Sequence, residues 1–148
     1  MKNKIKVIGI ILCTILIMTG CTTSKAYTYD VETGDRIKIE LNTTEGYDIS
    51  SDLPFVISKD GETLSQGTFI TMEGYQYYLD AVEEDDLVTV LDSGTKNGVE
   101  YLFYSYDGKE FNYILKVEDS NTGILLANPN SEEEAETCFN LLTFSKES

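Results

Sequence analysis

Val99-Glu-Tyr-Leu-Phe-Tyr-Ser-Tyr106, Asp107-Gly108 and Lys109-Glu-Phe-Asn-Tyr-Ile-Leu-Lys-Val117 form one continuous stretch, and its reading decides the fold. Asp107-Gly108 marks a hairpin, because a tight turn places its central residues at positive φ, which glycine takes without strain and aspartate tolerates. In the second arm Phe111, Tyr113, Leu115 and Val117 share one face, and Asn112, Lys116 and Glu118 share the other. That period of two is a strand. The first arm, Val99 to Tyr106, is apolar on both faces, which predicts a central strand covered on both sides. Asn97-Gly98 in front of it is a second hairpin turn, so the stretch extends backward into a β-meander.

Working outward, Ile37, Ile39 and Leu41 alternate with Arg36, Lys38 and Glu40, the pattern of a half-buried strand. Phe55 and Ile57 open another, which Asp60-Gly61 turns back toward Thr68-Phe69-Ile70. Leu87 to Leu91 and Ile124 to Ala127 add two short strands, and Leu142 to Ser145 a last one. Ser131 with Glu134 is a capping box, each side chain satisfying the other's free backbone donor. Ala135, Cys138, Phe139 and Leu142 follow at helical spacing, predicting a helix with one buried stripe. Met72, Tyr75, Tyr78, Leu79 and Val82 repeat that spacing after Thr71, although Tyr75-Tyr77-Leu79-Ala81 also reads as a strand. The order of elements predicts an α+β domain over residues 28–148: an antiparallel sheet with a meander and two helices packed on it.

This layout is similar to the PsbP-like superfamily, which also includes a Ran-binding nuclear import factor. The resemblance lies in the opening strands, the meander Val99 to Val117, the strand at Ile124, and the Ser131-Glu-Glu-Glu-Ala135 helix leading to Leu142-Thr-Phe144. More narrowly, the chain resembles small lipoproteins of low-GC Gram-positive anaerobes that carry such a domain. The superfamily shares no catalytic residues, and the resemblance implies a binding or accessory role.

At the other end, Lys2, Lys4 and Lys6 precede an apolar run from Val7 to Met18. Twelve residues fall short of the ~20 needed to span a bilayer but suit the core of a signal peptide. Met18-Thr19-Gly20-Cys21 resembles the bacterial lipobox, with Met18 in place of the usual leucine. By that resemblance residues 1–20 are removed and Cys21 becomes the lipidated first residue, its diacylglycerol and palmitate holding the protein on the extracytoplasmic face of the cell membrane. Residues 21–27 then read as a short lipid-anchored tether, which keeps the domain within ~20 Å of the surface. Cys13 leaves with the signal and Cys21 takes the lipid, so Cys138 has no partner for an internal disulfide. An apolar helix stripe and the absence of histidine make it a buried structural thiol rather than a nucleophile.

The chain holds 148 residues, 41% hydrophobic and 25% charged, enough for one domain with a real core. It has no histidine, which removes histidine-based triads and most transition-metal sites. Without residues 1–20, its 26 acids face 8 bases, a net charge of −18. Phosphate backbones repel such a body, so nucleic acid is excluded as a partner, whereas a protein or a cationic ligand is not. No cofactor is expected.

Four constellations bear on chemistry. Carboxylate-pair hydrolysis needs no histidine, which keeps a small cell-wall hydrolase as the alternative to a non-enzymatic binding module. Ser93-Gly-Thr-Lys96 matches the Ser-x-x-Lys of penicillin-recognising enzymes, yet its Gly/Asn setting predicts a turn between strands and a chance match. Asp119-Ser-Asn-Thr-Gly123 alternates oxygen ligands without the glutamate of a calcium loop, and Glu83 to Asp86 reads as a solvated helix end, so no metal or catalytic residue is assigned. The tyrosines are the most distinctive feature, and they read either as cross-strand pairs that stabilise the sheet or as a recognition patch. Tyr75, Tyr77, Tyr78, Tyr101, Tyr104 and Tyr106 cannot all be buried in so small a core, and tyrosine suits contact patches because it is broad, rigid and partly polar.

Overall fold

The computed structural model describes residues 23–128 and 131–148. Its elements run β1 (Ser24–Asp30), β2 (Arg36–Asn42), β3 (Tyr47–Ile49), β4 (Phe55–Lys59), β5 (Glu62–Thr71), α1 (Met72–Glu84), β6 (Val88–Lys96), β7 (Val99–Tyr106), β8 (Glu110–Val117), β9 (Thr122–Asn128), α2 (Glu132–Leu141) and β10 (Leu142–Glu147). The domain is α+β, with antiparallel strand pairs and two helices among the described residues.

The strands divide into two sheets rather than the single sheet expected. One has the order β1-β2-β10 and the other β3-β4-β5-β9-β8-β7-β6. The division follows burial. The alternating strand β2 turns Ile37, Ile39 and Leu41, all fully buried, toward the large sheet, and β10 adds Leu142 and Phe144 beside them. The meander β6-β7-β8-β9 holds as read, with positive φ at Asn97, Gly98, Asp107 and Gly108. The Asp60-Gly61 turn also has both residues at positive φ and joins β4 to β5.

Three expectations need correction. Residues 24–27 belong to β1, not to a tether, because pairing with β2 from Ser24↔Asn42 onward satisfies their backbone groups. Strand β7 lies next to the sheet edge, and β9 takes the central place. The Ser93–Lys96 segment continues β6 instead of forming a turn, since the chain reverses only at Asn97-Gly98.

The two helices cover opposite faces of the large sheet. Register puts Val99, Tyr101, Phe103, Tyr113, Leu115, Ile124 and Leu126 on one face. Helix α2 and the small sheet close over it with Ala135, Cys138 and Phe139. The ring of Phe139 stacks on Tyr113 at 4.4 Å, and Tyr113 stacks on Phe103 at 4.3 Å. The opposite, outer face carries Ile114, Leu125, Leu102 and Tyr104, and α1 lies across it. The helix reading of residues 72–84 prevails over the strand reading because Thr71 caps it, its hydroxyl accepting from the Gly74 N–H at 3.1 Å.

Candidate functional site

Helix α1 leaves β5 and returns the chain to β6 on the opposite side of the sheet, so it crosses the outer face diagonally. The uncovered part of that face is a shallow trough of about 420 Å³. Its lining includes Thr63 and Gln66 of β5, Leu125 and Ala127 of β9, Glu110 and Asn112 of β8, and Tyr104 of β7. A volume of this order can hold a small ligand. Glu110 is the one carboxylate among the lining residues, and it is exposed. Hydrolysis by a carboxylate pair calls for a second acid ~5–9 Å away.

Tyr104 connects the trough to the tyrosine cluster. Burial raises the pKa of its hydroxyl, the neighbouring Asn112 amide works against that rise, and Glu110 and Tyr78 add to it. Tyr78 meets Tyr77 edge to face, with ring centroids 5.5 Å apart. Tyr75 sits half-buried one turn earlier, its hydroxyl also raised, by burial and by Glu100 of β7. Tyr106 follows two residues after Tyr104 on the same face and pairs across the strands with Val88, as Tyr104 does with Val90. Five of the six tyrosines singled out from sequence therefore gather on the outer side.

The sixth does not. Tyr101 lies on the inner face, where its ring packs 5.1 Å from Phe139 and its hydroxyl donates to Asp92 at 2.8 Å. That hydrogen bond, then burial, raises its pKa. A step of three residues in a strand reverses the face, so Tyr101 and Tyr104 separate.

Exposure singles out one corner. Among the described residues the large hydrophobic side chains left exposed are Tyr77 (68%), Leu53 (55%), Val90 (53%), Leu87 (49%) and Tyr106 (37%). Leu87, Val90 and Tyr106 belong to the region where the start of β6 and the β7–β8 turn meet, whereas Tyr77 lies midway along α1. The Asp107 N–H donates to the Leu87 carbonyl at 2.9 Å and fixes that junction. Sequence reasoning missed Leu87 and Val90, which it read only as part of the short apolar strand Leu87 to Leu91.

The other sequence candidates are scattered. Asp119 occupies the turn between β8 and β9, where the Ser120 hydroxyl donates to the Val117 carbonyl at 2.8 Å and the Asn121 N–H donates to Asp35 at 2.8 Å. The Glu83–Asp86 run is the exposed end of α1 and the turn after it. Among the described residues no group of three or more cysteine or acidic side chains is placed to hold a metal ion. Cys138 is fully buried, and burial, with Glu134 nearby, pushes its thiol up to about 11. Cys21 lies outside the described residues. Among the described residues no helix is long and apolar enough to cross a membrane. No family model matches the chain, and no curated protein or solved structure is significantly similar to it.

Proposed function

We propose that the protein is a lipid-anchored, extracytoplasmic, non-enzymatic module of PsbP-like type that binds a partner through the outer face of its large sheet. The observation that carries the binding role is the gathering of Leu87, Val90 and Tyr106 at one corner, with the exposed Tyr77 farther along α1. Exposed apolar side chains scattered singly need no explanation, whereas a contiguous group marks an interaction site. The anchor rests on the lipobox-like Met18-Thr19-Gly20-Cys21. Strand β1 begins at Ser24, three residues after Cys21, so the span between lipid and domain is at most ~10 Å. The meander, the capped helix α2 and the strand after it support the PsbP-like part of the reading.

The test has two arms in the native cell. Cys21→Ser should move the protein out of the washed membrane fraction while its circular dichroism stays the same. Tyr77→Ala/Tyr106→Ala should leave it in the membrane but lose proteins that co-purify with the unmodified chain. Equal membrane fractions for both forms would remove the anchor from this reading. An unchanged set of co-purifying proteins would remove the outer face.

A further inference from the structure

Strand β6 is a lateral edge of the large sheet, and among the described residues it pairs with β7 alone. The opposite edge, β3, has three residues; β6 has nine, all exposed except the half-buried Val88 and Leu91. An edge of this length offers a row of unpaired N–H and C=O groups to an incoming strand. Lys96 and Val99 flank the two-residue Asn97-Gly98 turn and form its closing pair, so the Thr95 backbone groups face away from β7. The Ser93 N–H is likewise outside the ladder and donates to the carboxylate of its own neighbour Asp92 at 2.9 Å. A bulge at Leu91 separates the flat run Asp92–Lys96 from the start of the strand, where Val90 stands in the apolar corner.

Charge decides what can dock here. The corner and edge are bordered by Glu83, Glu84, Asp85, Asp86, Asp92, Asp107 and Glu110. The nearby Lys109 is paired with Asp107 at 2.8 Å, and Lys96 at the far end is hydrogen-bonded to Asn140. A second copy would bring the same acids against these, and a copy without residues 1–20 carries −18. A basic partner meets the opposite sign at the corner and at Asp92, with the cation Lys96 at the far end of the strand.

We infer that β6 receives an extended, lysine- or arginine-rich segment of a partner protein. That segment adds a strand along Asp92–Lys96 by main-chain hydrogen bonds, the mode of β-augmentation. Beyond the bulge it seats an apolar side chain against Val90, Leu87 and Tyr106, while its cations meet Asp92, Asp107, Glu110 and the Glu83–Asp86 run. The inference rests on the binding role proposed above and names its partner class.

The probe is a fluorescent ten-residue peptide of alternating lysine and valine, titrated with the full chain in detergent micelles. Replacing lysine by glutamate in the peptide, or N-methylating alternate amides, should weaken binding at least tenfold. In the protein, Thr95→Pro should weaken it about tenfold, Val90→Ser several-fold and Leu53→Ser not at all. Hydrogen exchange should slow at Thr95 when the peptide is bound. Equal binding of the N-methylated peptide, which leaves the protein untouched, would overturn strand addition. So would a dimer seen by sedimentation that Thr95→Pro dissolves. Protection at Gln66 and Asn112 instead of β6 would overturn this inference while leaving the outer-face binding role standing.

Discussion

Asp35 Oδ2 accepts a hydrogen bond from the Thr122 hydroxyl at 2.9 Å, linking positions 87 apart in the sequence. Asp35 ends the turn between β1 and β2, and Thr122 opens β9, so this contact pins the small sheet to the large one. Asn121 adds its N–H at 2.8 Å, and Lys146 of β10 stands 3.4 Å from the other oxygen.

Burial opposes the charge on Asp35, but the Asn121 N–H, the Thr122 hydroxyl and Lys146 outweigh it and hold the carboxyl below its ordinary value. A depressed carboxylate contributes stability above its unfolded pKa and loses it as pH falls through the folded one. Asp35→Ala should therefore cost about 1.5–3 kcal/mol at pH 7, the range for hydrogen bonds to a charged group. Denaturant melts should show the difference between the two proteins shrinking below about pH 4. A constant difference from pH 7 to pH 2 would mean that packing, not the carboxylate, carries the link.

Gly67 faces Phe55 across β4 and β5, and the ring occupies the space where a Cβ would stand. Phe55 is fully buried and rests near Tyr29 and Phe69, so it cannot swing aside. Gly67→Ala should destabilise the fold by about 1–3 kcal/mol through overpacking. Gly61→Ala, where the added carbon meets no atom, should cost only the strain of its positive φ. Equal losses in thermal melts would refute the packing account.

Cys138 should resist thiol reagents in the native protein and react fully in denaturant, since it is 0% exposed and its thiol is raised to about 11. A raised thiol pKa adds stability that is complete below the unfolded value near 9 and is lost as pH climbs toward the folded one. Rapid labelling under native conditions would place the α2 stripe outside the core.

With −18 on the chain after residue 20, self-repulsion should lower the melting temperature at low ionic strength. Sodium chloride should raise it smoothly as the Debye length falls from ~30 Å at 0.01 M to ~10 Å at 0.1 M. Calcium at matched ionic strength should add little. A large calcium-specific rise would contradict this and make Asp119, Asn121 and Glu83 to Asp86 the positions to mutate.

What the sequence determined by itself is local. Alternation in Ile37-Leu41 and Phe111-Val117, paired residues of positive φ at Asn97-Gly98 and Asp60-Gly61, and the Thr71 and Ser131 caps all act between residues a few positions apart. Their physics is complete without the rest of the chain. The stripe Ala135, Cys138, Phe139 was legible for the same reason, because helical spacing alone puts those side chains on one face. Tertiary structure decided everything that depends on which surfaces meet. Leu142 and Phe144 announce a strand but not that it joins β2 instead of the meander; the shared burial of Ile39 and Phe144 in the core between the two sheets settles that. Strand β1 and the second half of β6 gave no clear signal, since edge strands exposed to water have little apolar alternation to display. The tyrosines were visible as a group, yet only register could send Tyr101 inward and leave Tyr104 and Tyr106 outside. A residue's face is fixed by its partner strand, and partners are chosen by long-range burial that no short window contains.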